Sequence, residues 1–168
     1  MSCFIVIRGP LGVGKSTIAK KLASELNGEY VDIDRILDEN GLDKVSEDEG
    51  CIPAENFIKA DNLILPELKK KLQNNQPVIF DACFYHKKHI EHLINSLPFP
   101  HYAFTLKAPV DVCIRRDSER SKTHGEGAAQ AVHYLVSRFD YGTIIDTNNK
   151  TIDETFREIL KHIPKKSS

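Results

Sequence analysis

The sequence has no apolar stretch approaching the roughly 20 residues that a membrane-crossing helix needs, so no transmembrane helix is expected. It has no excess charge of either sign: 23 Lys and Arg stand against 24 Asp and Glu, a formal net charge of −1. No global field is available to hold a polyanion, which leaves nucleic-acid binding to a local basic cleft. It has no C-x-x-C pair. The four cysteines, Cys3, Cys51, Cys83 and Cys113, are widely scattered, and two lie in apolar runs where a free thiol behaves as a small buried hydrophobe. It has no internal repeat and no low-complexity linker, so its 168 residues read as one domain, 1–168, long enough for a real core. No secretion signal is expected, because Met1-Ser2-Cys3 leads directly into an apolar run.

What is present begins with Gly9 to Ser16. These residues read GPLGVGKS and meet the pattern G-x-x-x-x-G-K-[ST] at every fixed position. The run follows an apolar segment, Phe4-Ile5-Val6-Ile7, and precedes a helical pattern of Ile18, Ala19, Leu22, Ala23 and Leu26. Strand, glycine loop and helix form the context that makes the motif a phosphate site. The glycines let backbone N–H groups face inward as an anion nest, and the helix aims its positive end at the same point. Gly9, Leu11, Gly12, Val13, Gly14, Lys15, Ser16 and Thr17 are therefore expected to hold a nucleotide. Lys15 would reach the β- and γ-phosphates, and the Ser16 hydroxyl would sit on Mg²⁺. Nucleotide chemistry and unpaired cysteines together fit a reducing, cytoplasmic setting.

Apolar runs alternate with helical patterns along the rest of the chain. Gly28 reads as the stop of the first helix. Tyr30 to Asp34 reads as a short strand ending in carboxylates, and Gly41 to Gly50 as an acidic, mobile loop. Ala54 to Asn75 is helical in period, with Phe57, Ile58, Leu65, Leu68 and Leu72 on one face and Pro66 expected to kink or split it. Pro77 to Asp81 is a buried strand, His86 to Leu97 a helix and Tyr102 to Leu106 a strand. Val110 to Arg120 and Ala128 to Phe139 are helices. Thr143 to Asp146 is the fifth strand, and a helix from Ile152 to Ile163 precedes a frayed, solvated tail at Lys161 to Lys166. The alternation predicts an α/β fold: a mostly parallel sheet covered on both faces, with ligands at the carboxyl ends of its strands. The glycine loop, Asp32, Asp34 and Asp81 all fall at such ends.

These residues resemble the small P-loop kinases related to adenylate, shikimate and polynucleotide kinases. They are most similar to the mixed group that includes the polynucleotide kinase domain and the chloramphenicol phosphotransferases. The likeness covers nearly the whole chain. Besides the glycine loop it rests on Asp32-Ile33-Asp34-Arg35, on Val78-Ile79-Phe80-Asp81, and on Arg115-Arg116-x-x-x-Arg120. It implies a three-layer fold with a five-stranded sheet ordered 2-3-1-4-5, ATP at the glycine loop, and a helical lid around Ser121 to Gln130. It also implies that Arg116 packs on the adenine ring and Arg120 reaches the phosphates, tasks that suit a planar guanidinium. Shikimate kinases carry a glycine triplet after the third strand, where this chain has Ala82-Cys83-Phe84.

Phosphoryl transfer needs positioning and charge neutralisation more than covalent chemistry. Asp34 is the candidate base for an acceptor hydroxyl. Strand alternation would point Asp32 and Asp34 to one side, leaving Asp32 to hold Mg²⁺, directly or through water. Asp81 is placed to hold Mg²⁺ through water. The alternative role for each of the three is a helix cap. Asp81 is followed by Ala82 rather than the glutamate that motor ATPases use to activate water. Arg116 and Arg120, four apart, would share a helix face, with Asp117 and Glu119 as competing partners. Arg138 is a further candidate for the lid. His86, His89 and His92 lack the spacing of a zinc-protease helix and read as a solvated or substrate-facing face. Tyr85, His86 and Lys87 are candidates for the acceptor pocket, which residues 35–75 and 82–92 should build.

The expected activity is therefore ATP- and Mg²⁺-dependent transfer of the γ-phosphate to a hydroxyl or phosphate of a small molecule or nucleotide. A polynucleotide 5′-hydroxyl kinase is the second reading, disfavoured by the near-neutral charge. A non-kinase ATP-binding regulatory protein is the third. GTP switching is disfavoured because Asn149-Lys150-Thr151-Ile152 lacks the aspartate of the guanine-reading pattern. No membrane partner is expected. Acceptor identity and oligomeric state have no signature in the sequence.

Overall fold

The computed structural model describes residues 2–120 and 124–165. Strand β1 (Phe4–Arg8) runs into the glycine loop and helix α1 (Lys15–Leu26). There follow β2 (Glu29–Asp32), α2 (Ile33–Glu39), α3 (Ala54–Gln73), β3 (Val78–Ala82) and α4 (Lys87–Ser96). The remaining elements are β4 (His101–Lys107), α5 (Val110–Ser118), α6 (Glu126–Ser137), β5 (Thr143–Asp146) and α7 (Ile152–Leu160). All four strand pairings are parallel, and the order is β2-β3-β1-β4-β5, as expected. None of the helices is long and apolar enough to cross a membrane among the described residues.

Alternation along each strand divides the core in two. Phe4, Val6, Val78 and Phe80 face α3, α4 and α6, where they pack with Leu68, Leu72, Ile90 and Leu93. Ile5, Ile7, Ile79 and Phe104 face α1 and α7, where they meet Ile18, Leu22 and Ile159. The central strands β1 and β3 are buried along their whole length, as apolar runs in a sheet covered on both sides should be.

Several boundaries differ from the sequence expectation, each for a local reason. Strand β2 ends at Asp32, whose Oδ1 accepts from the Arg35 N–H at 3.2 Å and caps α2. Ile33 and Asp34 are therefore the first turn of a helix, and alternation does not govern where Asp34 points. Helix α3 runs through Pro66 as one 20-residue element and is not split. Pro66 lies on its exposed side, between the buried Leu65 and Leu68. Asn27, at φ 51°, ends α1, not Gly28. The loop before α3 is tied rather than loose: Ser46 N–H donates to the Cys51 carbonyl at 2.9 Å and Asn56 Nδ2 to the Leu42 carbonyl at 3.0 Å. Helix α5 ends at Ser118, so Arg120 lies beyond it. After α7, turns continue to Ile163, which is buried, so the tail is anchored that far. Lys166 and the lid residues Ser121 to Thr123 lie outside the described residues.

One histidine of the α4 series is not solvated. His89 is fully buried, with Nε2 3.2 Å from Asp61 Oδ1 and 3.0 Å from Oδ2 on α3. Its ring lies between Phe57 and Phe84 at centroid distances of 4.8 and 4.7 Å, near parallel to both. His92 turns to the same neighbour helix, 2.9 Å from Asn62 Oδ1. Removing one partner of a buried polar pair leaves the other without compensation. Asp61→Ala is expected to lower the unfolding free energy by about 3 kcal/mol, and Asp61→Leu with His89→Phe to recover most of it. Urea unfolding of the three proteins measures this; equal losses in single and double variants would show that packing alone matters at the site.

Candidate active site

The glycine loop leaves β1 and returns as α1, and two positive φ angles make the turn. Gly12 has φ 80°, and a Cβ there would stand 2.1 Å from the Cys113 carbonyl oxygen on α5. Gly14, at φ 103°, is the first residue ahead of α1. The loop backbone can therefore lie directly on α5, an approach open only to glycine. Helix α1 has no side-chain cap and no acidic residue in its first turn. Helices α2 and α7, in contrast, are capped by Asp32 and by a Thr151–Glu154 capping box. The leading N–H groups of α1 thus face a cleft that lacks a protein carboxylate in the helix's own first turn, the arrangement that favours an anion.

That cleft has a volume of about 440 Å³ and is lined by Gly12 to Ile18, Arg116 and Arg120, and the segment from Thr147 to Thr155. Arg116 is half-buried and held in place: its guanidinium donates to Thr147 Oγ1 at 3.0 Å and to the Thr147 carbonyl at 3.1 Å. Thr147 is itself bonded to the Lys107 carbonyl, so β4, α5 and the segment after β5 are joined at this point. Arg120 is more open, 3.8 Å from Asp117 Oδ1. Asp117 is buried and also accepts from the backbone N–H of His124, 3.1 Å away. Arg138 does not border this cleft. Its NH2 group donates to the Tyr85 carbonyl at 3.3 Å, on the other side of the sheet edge.

Lys15 is buried and donates from Nζ to the Pro10 carbonyl at 3.3 Å. Burial pulls its ammonium down, but Cys83, Asp81 and Asp34 together more than reverse this, and its affinity for the proton is raised. Asp81, buried inside β3, caps no helix. Its Oδ2 accepts a 2.6 Å bond from the Tyr30 hydroxyl. Asp32 is its register neighbour on β2, so both side chains leave the sheet on the α1 side. Ser16, Asp32 and Asp81 present hydroxyl and carboxylate oxygens only, a hard donor set that fits Mg²⁺. Among the described residues the Tyr30 hydroxyl is the one hydrogen-bond donor to Asp81, which leaves its carboxylate acceptor capacity for a hydrated cation.

A second cavity, of about 410 Å³, is lined by Asp34 together with Leu11 and Cys83. Although Asp34 opens to this space, the surrounding protein raises its carboxyl above the usual range. Asp32 and Asp81 push the same way, against Lys15 and His124. Cys83, deeply buried, is pushed up to about 11, mainly by burial. The chain reverses at Phe84, which holds φ 50°, a costly conformation for an aromatic residue. This places Cys83 and Tyr85 on the cavity wall, with Tyr85 Oη accepting from the Ile52 N–H at 3.1 Å. His86 and Lys87 do not line the cavity. Glu49, Cys51 and His86 bring one potential metal-binding atom each to within 4.8 Å at its rim, with His86 Nε2 already 2.7 Å from the Ile52 carbonyl.

Two features had no sequence signal of their own. One is the wall that α6 contributes to this cavity through Ala128, Ala131, Val132 and Leu135. The other is Arg8, whose side chain is almost wholly buried at the end of β1. It donates to the Phe84 carbonyl at 3.0 Å, Thr105 Oγ1 at 3.1 Å, and the Val136 and Phe139 carbonyls at 2.7 and 3.1 Å. Its guanidinium also sits 4.2 Å from the Phe139 ring centroid. Burial pulls its proton affinity down to about 10, opposed by Asp140 and Cys83.

A 2-3-1-4-5 parallel sheet, a glycine loop under an uncapped helix and arginines over the resulting cleft define the P-loop kinase-like class of folds. A family model described as an AAA domain matches residues 4–140, and the chain belongs to that family. Among solved structures it is similar to a sugar kinase from Janibacter sp. HTCC2649, with 16% identity, TM-score 0.77, and 96% of this chain and 94% of that one covered. A gluconokinase from Sinorhizobium meliloti 1021 matches at 16% identity and TM-score 0.67, over 95% and 90% of the two chains. The tunicamycin resistance protein of Deinococcus radiodurans matches at 22% identity and TM-score 0.65, over 96% and 95%. These likenesses concern the fold. No curated protein matches the sequence significantly.

A carboxyl raised in the folded state holds its proton to higher pH than in the unfolded chain. The folded state is then penalised above the folded value, and the penalty vanishes below the unfolded value of about 3.9. Asp34→Asn is therefore expected to increase unfolding free energy at neutral pH, the gain shrinking as pH falls toward that value. Denaturant midpoints between neutral and acid pH measure it. A neutral-pH loss would mean that contacts of the carboxylate outweigh its desolvation.

Proposed function

We propose that this chain is an ATP- and Mg²⁺-dependent kinase that transfers the γ-phosphate to a hydroxyl of a small molecule. The observation that carries the reading is a pair of neighbouring cavities. Lys15 lines the first, with the uncapped helix and the arginines; Asp34 lines the second, and the two charges act on one another. An ATPase that only hydrolyses or only switches has no use for the second. The kinase names of the similar folds agree with this reading.

In this mechanism the nucleotide's phosphates take the N–H groups of the loop and of α1, and Arg116 with the Thr147 segment forms the base side of the cleft. Lys15 leaves the Pro10 carbonyl for the β- and γ-phosphates, and its raised proton affinity keeps it charged while it neutralises transferring charge. Mg²⁺, held by Ser16 and through water by Asp81 and Asp32, would neutralise phosphate charge and fix the phosphate geometry. Asp34 receives the acceptor's hydroxyl proton. A base with a raised pKa binds that proton more firmly, which favours the transfer step. Arg120, less tightly held than Arg116, supplies positive charge to the phosphates in the transition state. ATP is preferred over GTP, since no guanine-reading aspartate follows Lys150.

Asp34→Asn keeps the shape and removes the base. Transfer is expected to fall by about 10²–10⁴, with ATP affinity nearly unchanged, as read by calorimetry and acceptor phosphorylation on one preparation. Persistence of wild-type transfer would remove Asp34 from the role and make Asp32 the next candidate. Arg120→Ala is expected to reduce kcat more than it weakens ADP binding. Equal effects on both would assign Arg120 to ground-state nucleotide binding, and no effect on either would leave it a surface partner of Asp117.

A further inference from the structure

The Asp34 cavity carries information about the body of the acceptor as well as its hydroxyl. Its α6 wall is a stripe at positions i, i+3, i+4 and i+7: Ala128, Ala131, Val132 and Leu135. Such a stripe ordinarily packs on a core. Here Ala128 and Ala131 are exposed and face the open cavity. Across it stand Leu37, Ile52 and Phe57, and Val45 on the loop before α3 is 61% exposed at the mouth. Of these apolar side chains Val45, Ala128 and Ala131 are exposed, Ile52, Val132 and Leu135 are half-buried, and Leu37 and Phe57 are buried; a bound molecule would cover the exposed part.

The polar groups are few and mostly engaged. Tyr85 Oη accepts from the Ile52 N–H, and His124 Nδ1 lies 3.2 Å from Asp117 Oδ1. Asp34 and Asp43 remain, both carboxylates. No Lys or Arg lines the cavity among the described residues. The volume, about 410 Å³, suits an ordinary small-molecule ligand. A hexose would bury several hydroxyls with no partners, each costing about tenfold in affinity or more. A sugar acid, a nucleoside monophosphate or a 5′-hydroxyl oligonucleotide would bring anionic groups against Asp34 and Asp43 with no Lys or Arg among the described lining residues to receive them, and with His124 already against Asp117.

We propose that the acceptor is an alcohol with a largely apolar, aromatic-sized body and no negative charge, seated on the α6 stripe with its hydroxyl at Asp34. The inference rests on the kinase reading of the same cleft. In the reaction, the acceptor oxygen forms a bond to the γ-phosphorus as the bond to the β-bridging oxygen breaks. The hydroxyl proton passes to Asp34, ADP leaves, and the product is the neutral alcohol's phosphate monoester.

Two independent measurements test it. The first is binding of the neutral naphthalene dye prodan and the anionic dye ANS, followed by fluorescence. Prodan is expected to bind one site at least about tenfold more tightly than ANS. Ala131→Lys, at an exposed position, and Leu135→Lys are each expected to weaken prodan about tenfold or more while ATP affinity, which reports the folded protein, is kept. Tighter ANS than prodan, or prodan binding indifferent to both variants, overturns the proposal. The second is transfer from Mg-ATP to 3-phenylpropan-1-ol, glucose, gluconate, CMP and a 5′-hydroxyl oligothymidylate. A kcat/KM about tenfold or more higher for the aryl alcohol supports the proposal, and preference for any of the other four overturns it. If none is phosphorylated, the kinase reading loses its support, and the dye pair alone decides what the cavity accepts.

Discussion

The Arg8 guanidinium is the interaction on which both walls of the Asp34 cavity depend. From the end of the central strand it reaches the Phe84 carbonyl after β3, Thr105 on β4, and the carbonyls at the end of α6. It is a buried cation whose described hydrogen-bond partners are carbonyls and a hydroxyl rather than a carboxylate. That arrangement suits arginine and not lysine: five donors in a fixed plane can serve several acceptors at once, and a point charge on a flexible stem cannot. Removing it would leave inward-facing carbonyls without donors and would release α6 from the sheet edge. The geometry of the Asp34 cavity is therefore set from the back of the core rather than from its mouth.

Around Lys15 the charge is organised differently. Asp81 and Asp34 act on one buried ammonium, and the Tyr30 hydroxyl is bonded to Asp81. Burial raises the Asp34 carboxyl, and the neighbouring Asp32 and Asp81 add to the rise against the pull of Lys15. The site is therefore electrostatically incomplete. The apolar side of the neighbouring cavity is incomplete in the other sense, since Val45, Ala128 and Ala131 present apolar surface that the chain itself leaves uncovered.

Much of this was legible in the sequence where local chemistry decides the outcome. The glycine loop encodes its own backbone, so Gly9 to Thr17 took the expected form, and the strands and their order followed from alternating patterns and the resemblance. Asp34 shows the limit. Asp-Ile-Asp fits a strand end and a capped helix start equally well, and the Asp32 cap decides it. Arg116 was expected at the base, but the Thr147 partner that positions it is 31 residues away and gives no spacing signal. Arg8 was not singled out, and His89 was read as solvated or substrate-facing, because a charged or polar residue reads as surface until its partners are known. Those partners come from β4, α6 and α3, which only the tertiary fold brings together. The helix at Ala128 to Phe139 was legible, but nothing in its sequence distinguishes a face packed on a core from one lining an open cavity.

Phe84 narrows the ways in which this cavity can change over time. Its backbone lies in the left-handed region, where β-branched residues clash with their own chain, so Val, Ile and Thr are closed off. Glycine would relax the backbone but would remove the ring stacked on His89 and open a gap beside the buried Asp61 pair. The position is held between a backbone that asks for no side chain and a core that asks for a large flat one. The lining of the cavity is accordingly more open to change on α6 and on the loop that carries Val45, where side chains meet solvent, than at the turn that holds Phe84.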